Sequence, residues 1–121
     1  MNTLRSDVEQ WTAQAGSKAG LKEWAEALCE ILKRHEEELK ELTYSYRLCA
    51  TDTGYVRAFS LVNGHYIPKT ELDEADVIVS GAERDLLAIL QRKLSPMSAL
   101  LRGKIQVKGS KTALIRFAEF L

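Results

Sequence analysis

The residues of this chain best suited to acid–base, nucleophilic or metal chemistry are two histidines and two cysteines. His35 falls within a helical pattern and His65 directly follows an Asn-Gly pair, so the two histidines lie on different elements. Together with Cys29 and Cys49 they show none of the paired spacings of a zinc site. We therefore predict that the protein is not an enzyme, binds no metal or other cofactor, and keeps both cysteines as free thiols.

The charged residues likewise indicate neither a strong metal site nor a nucleic-acid partner. Asp73, Glu74 and Asp76 form a small acidic cluster, which we interpret as surface charge, with a weak cation site as the alternative. The chain carries 17 basic and 17 acidic residues, yet residues 82–121 hold eight basic and three acidic ones. Because no aromatic residues interleave with those basic side chains, we predict no nucleic-acid partner. A solvated surface is the simpler interpretation of this basic third, and attraction of anionic headgroups or phosphates is the alternative.

Length and composition predict one ordinary globular domain. The chain has 121 residues, 45% of them hydrophobic and 28% charged. No apolar run approaches the roughly 20 residues of a membrane-spanning helix. The N-terminus lacks the apolar core of a signal peptide. We therefore expect a cytoplasmic protein.

Helical spacing dominates the first third of the chain. Leu4, Val8 and Trp11 recur every three or four residues, which predicts a helix over residues 4–15. A Gly-Ser-Lys-Ala-Gly segment then breaks it. Apolar residues from Leu21 to Leu42 recur at the same spacing and predict one long helix of about six turns.

The pattern then changes to strands joined by turns. Alternating residues predict a half-buried strand over 43–51, and a second strand follows a turn at residues 52–54. Asn63-Gly64 is typical of a two-residue hairpin turn, because both residues tolerate positive φ. A short third strand ends at Pro68 or lies at a sheet edge. The chain up to this point is a helix followed by a three-stranded meander.

The last third alternates strands with short helices. Residues 75–80 predict a fourth strand, and Ser80 with Glu83 matches a capping box for a helix running to about residue 92. Ser95-Pro96 starts a second short helix, which ends at Gly103. A fifth strand over 104–108 and a final helix capped by Ser110 follow. Residues 75–109 contain far more aliphatic bulk than catalytic chemistry, which indicates that they enclose apolar matter.

This segment resembles the sterol carrier protein type 2 family. The matching features are Ala75-Asp76, Ser80, Asp85-Leu86-Leu87, Lys93-Leu94-x-Pro96, Ala99-x-x-x-Gly103-Lys104 and Gly109. The resemblance implies an α+β fold, in which helices cover one side of a mixed five-stranded sheet. The order is a long N-terminal helix, a three-stranded meander, and a crossover to β-α-α-β-α. We divide the chain into an N-terminal helical extension, residues 1–20, and an SCP2-like domain, residues 21–121.

The resemblance also implies an apolar tunnel between the sheet and the helices. The positions that match its lining are Leu86, Leu87, Leu90, Met97, Leu100, Leu101, Ile105 and Val107, with Phe117, Phe120 and Leu121 where the last helix closes the tunnel. A basic rim for a lipid headgroup consists of Arg92, Lys93, Arg102 and Lys104. The chain departs from the family pattern at Gln91-Arg92, where a small residue and a glycine often precede the Lys-Leu-x-Pro motif, and at Ser95, where an acidic residue is common.

Two functions follow from this resemblance. The first is non-catalytic binding or transfer of a fatty acid, fatty acyl-CoA, sterol-like or isoprenoid lipid, with at most transient contact with a membrane surface. The alternative is an accessory or dimerisation module that presents the same fold to an enzyme of lipid or quinone metabolism and carries no lipid. A connected apolar void of about 300 Å³ or more would favour carrying, whereas a packed interior would favour the module.

Overall fold

The computed structural model describes residues 3–15, 19–70 and 74–120, which form five helices and five strands. In chain order these are α1 (Leu4–Ala15), α2 (Leu21–Lys33), β1 (Tyr44–Ala50), β2 (Val56–Val62), β3 (His65–Lys69), β4 (Val77–Gly81), α3 (Glu83–Leu90), α4 (Pro96–Leu101), β5 (Ile105–Gly109) and α5 (Lys111–Ala118). The strands form one sheet in the order β3-β2-β1-β4-β5. Only the β1–β4 pair is parallel among them, so the predicted mixed five-stranded sheet is confirmed.

Turn residues set the register of the meander. Asn63 and Gly64 both adopt positive φ, 52° and 84°, which is the hairpin geometry that their types predict. Gly64 also has a packing role, since a Cβ there would collide with the backbone oxygen of Glu36. Pro68 lies in the edge strand β3, where the missing N–H costs no ladder hydrogen bond.

Strand alternation gives the sheet one core face. Tyr46 lies opposite Phe59 on β2 and Val77 on β4, so these side chains share that face. Ile105 continues it onto β5. The helices cover the same face: the ring of Phe117 on α5 lies 4.9 Å from that of Tyr46. The interior is therefore a layer between the sheet and the helices.

The predicted long helix is wrong beyond its third turn. α2 ends at Lys33, and residues 36–41 form turns. Three consecutive glutamates follow, and negative charge is unfavourable at a helix C-terminus. The side chains that follow Lys33 also pair with different elements: His35 pairs with Asp7 on α1, and Glu36 pairs with His65 on β3. Leu39 and Leu42 are nevertheless fully buried, which explains why their spacing resembled a helix.

The predicted capping box at Ser80 and Glu83 is also wrong. β4 extends to Gly81, so Ser80 is a strand residue, and Ala82 occupies the N-cap position without a side-chain hydrogen bond. A carboxylate distant in sequence replaces the cap: Asp52 Oδ1 accepts from the Glu83 N–H at 2.9 Å. The caps predicted at Ser95 and Ser110 are confirmed, because each hydroxyl accepts an N–H three residues later at 3.1 Å.

The helix α1 has the predicted bounds and packs on α2. Leu4 and Val8 are buried, and the ring of Trp11 meets that of Trp24 edge to face at 4.7 Å. His35 Nε2 lies 2.6 Å from Asp7 Oδ2, with both side chains nearly buried. The extension thus has its own polar and apolar contacts with the rest of the chain. None of the described helices is long and apolar enough to cross a bilayer.

Candidate functional site

An apolar cavity of about 90 Å³ lies between the core face of the sheet and the helices. Strands β1, β2, β4 and β5 form its floor, and α2, α3 and α5 form its walls. It is lined by Leu28, Tyr46, Arg47, Leu48, Phe59, Val79, Leu86, Ile89, Leu90, Pro96, Ile105, Leu114, Phe117 and Ala118. Arg47 alternates with Tyr46 and Leu48, so its side chain belongs to the opposite face of the sheet. The cavity surface is therefore almost entirely aliphatic and aromatic.

Stacked aromatic rings form one end of the cavity. The Tyr46 ring lies 5.3 Å from that of Phe59, and Phe117 contacts both rings. The Tyr46 hydroxyl donates to the Ala113 carbonyl at 3.2 Å, which attaches α5 to the sheet. Burial raises the pKa of this hydroxyl well above its usual range. The tyrosine thus contributes a neutral apolar ring to the cavity.

Helical spacing places the remaining wall residues. Leu86 and Leu90 are one turn apart on α3 and face the sheet together. Leu114, Phe117 and Ala118 repeat the pattern on α5. These residues come from two helices that follow different strands, β4 and β5, so the width of the cavity depends on the positions of α3 and α5.

The structure brings four of the predicted tunnel positions to the cavity: Leu86, Leu90, Ile105 and Phe117. Four other predicted positions pack against the core but do not line the cavity, namely Leu87, Leu100, Val107 and Phe120. Met97 and Leu101 lie on the surface instead, with 44% and 81% of their area exposed. Leu121 lies outside the described residues.

Several lining residues are not among the predicted tunnel positions, although their spacing in the sequence predicts that they are buried. Leu28 lies on the apolar face of α2, and Phe59 lies on the core face of the meander. Their spacing showed that they are buried. It did not show that they border a void, because that depends on how α2 crosses the sheet.

An open depression of about 280 Å³, which we call the vestibule, adjoins the cavity. It is lined by Arg5, Ile89, Arg92, Leu94, Ser95, Pro96 and Ala118. Ile89, Pro96 and Ala118 also line the cavity, so the two spaces are neighbours. The vestibule gives the apolar cavity a cationic side.

Both vestibule arginines already have partners. Arg92 Nη1 donates to Glu9 Oε1 on α1 at 2.8 Å. Arg5 Nη2 donates to the Glu119 carbonyl, just beyond α5, at 2.8 Å. Arg92 also has a positive φ of 63°, a conformation that favours glycine. These contacts hold α1 across the vestibule.

The predicted headgroup rim is divided between surfaces. Arg92 lines the vestibule, whereas Lys104 lines a different open depression beside Gly81 and Asp85. Lys93 and Arg102 are exposed and line neither. Arg5 is the vestibule cation that the sequence analysis missed, since it lies outside the segment that carries the resemblance.

A second polar cluster joins α2 to the edge strand β3 and does not line the cavity. Arg57 Nη2 donates to the Tyr66 hydroxyl at 3.3 Å, and the Lys33 ammonium lies 5.2 Å from the centre of the Tyr66 ring. Burial raises the pKa of Tyr66 to about 12. Cys29 is buried and Cys49 half-buried, and both are free thiols as predicted. Within the described ranges no three His, Cys, Asp or Glu side chains group closely enough to hold a metal ion.

Comparisons with known proteins agree with this architecture. A family model described as the SCP-2 sterol transfer family matches residues 25–121. The sec-alkylsulfatase Pisa1 from Pseudomonas sp. is similar at 23% identity with a TM-score of 0.68, over 78% of this chain and 15% of the enzyme. A search of curated protein sequences gave no significant match.

Two further structures are similar over most of their own length. Palmitated SCP2L2 from Aedes aegypti shares 23% identity with a TM-score of 0.53, over 74% of this chain and 86% of that one. UbiJ-SCP2, a ubiquinone synthesis protein, shares 14% identity with a TM-score of 0.59, over 78% and 86% of the two chains. At these identities the similarity establishes the fold.

Proposed function

Since this chain belongs to the SCP-2 sterol transfer family, we propose that it binds a long apolar molecule in its cavity without covalent chemistry. The observation that carries this proposal is the almost wholly apolar lining between the sheet, α2, α3 and α5. The protein acts in the cytoplasm in this proposal, is not an enzyme, and contacts membranes only transiently.

A fatty acid is the ligand that we favour over an acyl-CoA, a sterol-like molecule or an isoprenoid. The similar SCP2L2 structure is of a palmitated form, which supports a single acyl chain. Each buried methylene contributes about 0.8 kcal/mol, so a 16-carbon chain gains on the order of 10 kcal/mol before ordering costs. The vestibule supports an anionic headgroup, because Arg5 and Arg92 lie beside the cavity.

Such a chain requires the cavity to enlarge. Its volume of about 90 Å³ falls below the roughly 300 Å³ of typical ligand sites. Leu28 and Leu90 also border a small void beneath Val8 and Trp11 of α1. Displacement of α1 would therefore open new apolar surface next to the cavity. We propose that binding moves α1 and keeps the sheet in place.

The test is ligand binding by a cavity-filling variant and its matched control. Leu114→Trp places a larger ring in the cavity, whereas Ile115→Trp changes the next residue of α5, which is 42% exposed. Displacement of a fluorescent fatty acid should weaken about tenfold or more in Leu114→Trp and remain unchanged in Ile115→Trp. Native mass spectrometry of the purified protein should show a bound lipid. Equal binding by both variants would place the ligand elsewhere.

The alternative function is an accessory or dimerisation module. The small cavity favours it, and the similar UbiJ-SCP2 is a ubiquinone synthesis protein. This alternative predicts no co-purified lipid, no displacement of the fatty-acid probe, and a native mass that includes a second copy or a partner enzyme. The same mass spectra therefore discriminate between the two functions.

A further inference from the structure

Helix α4 exposes two large apolar side chains on one face. Met97 and Leu101 are one turn apart, so they project together, and Leu101 has 81% of its area exposed. Burial of α4 is carried by Ala99 instead. Exposure of such a pair requires an explanation, because Ala99 and Leu100 of the same helix pack against the core.

The surroundings of these two residues are cationic. Residues 86–118 contain seven basic residues and no acidic one. Lys93, Arg102 and Lys104 lie just before and after α4, and all three are exposed. Asp85 shares a depression with Lys104 and is only 13% exposed, and Glu9 on α1 is paired with Arg92. Exposed apolar side chains flanked by exposed cations are complementary to an anionic lipid surface.

This surface lies beside the opening of the cavity. Pro96, the first residue of α4, lines both the cavity and the vestibule. Ser95, its N-cap, also lines the vestibule. A membrane in contact with α4 would therefore meet the side of the molecule through which a lipid headgroup would enter.

We propose that Met97, Leu101, Lys93, Arg102 and Lys104 form a surface that docks on anionic bilayers, which we call the α4 patch. Met97 and Leu101 insert below the headgroups, and the three cations contact lipid phosphates. Docking places the vestibule at the bilayer surface. The purpose of this surface rests on the proposed carrier function, although docking itself is measured without any cargo.

Co-sedimentation with vesicles tests the patch on the full chain. We expect binding to phosphatidylcholine vesicles that contain phosphatidylglycerol, and at least tenfold weaker binding to phosphatidylcholine alone. Added salt should weaken the binding, because it screens exposed charges. Failure to bind the anionic vesicles at low salt would overturn the proposal.

Matched variants locate the contact. Met97→Ser with Leu101→Ser should reduce anionic-vesicle binding about tenfold or more, whereas Ile115→Ser, which changes an exposed apolar residue of α5, should not. Lys93→Glu with Arg102→Glu should abolish binding, and Lys22→Glu on α2 should have little effect. All these residues are exposed, so unfolding midpoints should remain close to that of the unchanged chain. Equal losses in the patch variants and their controls would overturn the assignment of the surface.

The carrier function and the patch can fail separately. Leu114→Trp alters the cavity and leaves the patch intact, so it should keep vesicle binding while it loses the fatty-acid probe. The serine variant should retain the probe and lose the vesicles. If the unchanged chain does not bind the fatty-acid probe, the carrier function alone is refuted. If the serine variant still binds the vesicles, the patch alone is refuted.

Discussion

The first and last helices, α1 and α5, meet beside the vestibule, and polar contacts have a larger share in holding α1 than in holding α5. α5 buries Ala113 and Phe117 against the sheet, with Phe117 packed among aromatic rings. α1 buries Leu4 and Val8, but its contacts across the vestibule are charged. The two helices touch each other where Arg5 donates to the carbonyl of Glu119.

Because of this difference we call α5 (Lys111–Ala118) the wall and α1 (Leu4–Ala15) the cover. Apolar burial has no directional requirement and resists salt, whereas exposed ion pairs are screened and contribute little. α5 should therefore stay with the sheet under conditions that release α1. α1 lies outside the residues 25–121 that the family model matches.

The largest expected effect is on the wall. Phe117→Ala removes a buried ring from the aromatic cluster and should lower the free energy of unfolding by about 3–5 kcal/mol. Urea denaturation measures the loss. Phe120→Ala is the control, since that ring is only half-buried and should cost distinctly less. Equal losses at the two positions would show that α5 is not fixed through Phe117.

The next effect separates the cover from the wall. Asp7→Asn removes the charge that faces His35, where the two side chains are only 12% and 10% exposed. Weakening the hydrogen bond of a buried charged group costs about 1–3 kcal/mol, and we expect this cost to weaken the docking of α1 on α2. Tryptophan fluorescence reports this docking through the Trp11–Trp24 contact.

In the Asp7→Asn variant we expect fluorescence to change at a lower urea concentration than the far-UV circular dichroism of the sheet. Glu30→Gln removes an exposed pair with Lys33 and serves as the control. Coincident transitions in Asp7→Asn would mean that α1 and the sheet unfold as one unit.

Alkaline pH tests the packing of the sheet and of α5, because two phenols, Tyr66 on β3 and Tyr46 on β1, are buried there. Burial raises the pKa of Tyr66 from its ordinary 10.0 to about 12, and it raises the pKa of Tyr46 as well. A raised folded-state pKa means that the stabilisation is complete below pH 10 and is lost as pH rises to 12. We therefore expect the stability of the fold to fall as pH rises through this range.

Urea midpoints across this pH range measure the effect. Tyr46→Phe should reduce the slope of stability against pH, since it removes one of the two titrating phenols. It should also cost about 1 kcal/mol at neutral pH, because the hydrogen bond to Ala113 is lost. An unchanged slope in this variant would contradict the burial of the Tyr46 hydroxyl.

Local patterns predicted most elements, because their causes are local. The Asn63-Gly64 turn, the Ser95-Pro96 start and the Ser110 cap each depend on residues within one turn of the chain. The two wrong predictions depended on distant partners. α2 stops where His35 and Glu36 pair with residues 28 and 29 positions away, and α3 is capped by Asp52, 31 positions away.

The cavity was less predictable than the fold for the same reason. Leu86, Leu90, Ile105 and Phe117 were identified through the resemblance, which carries three-dimensional information that spacing lacks. Leu101 has the same residue type and helical context as Leu90, yet it is exposed. Type and periodicity predict an apolar stripe, and only the packing of α4 decides whether that stripe faces a cavity or the surface.

The smallest expected effect concerns Arg92, which joins cover and wall. A left-handed conformation costs a non-glycine residue about 1–2 kcal/mol, and Arg92 stands where the family pattern often has glycine. Its exposed pair with Glu9 returns at most about 1 kcal/mol. Arg92→Gly should therefore leave the free energy of unfolding unchanged or raise it by about 1 kcal/mol or less.

The same substitution should loosen α1, because it removes the contact across the vestibule. The fatty-acid probe should then enter faster in Arg92→Gly, although the protein is no less stable. Glu9→Gln breaks the same pair but keeps the strained arginine, so it should speed entry with a slightly lower urea midpoint. If Arg92→Gly is instead destabilised by more than about 1 kcal/mol, the Glu9 pair outweighs the backbone strain.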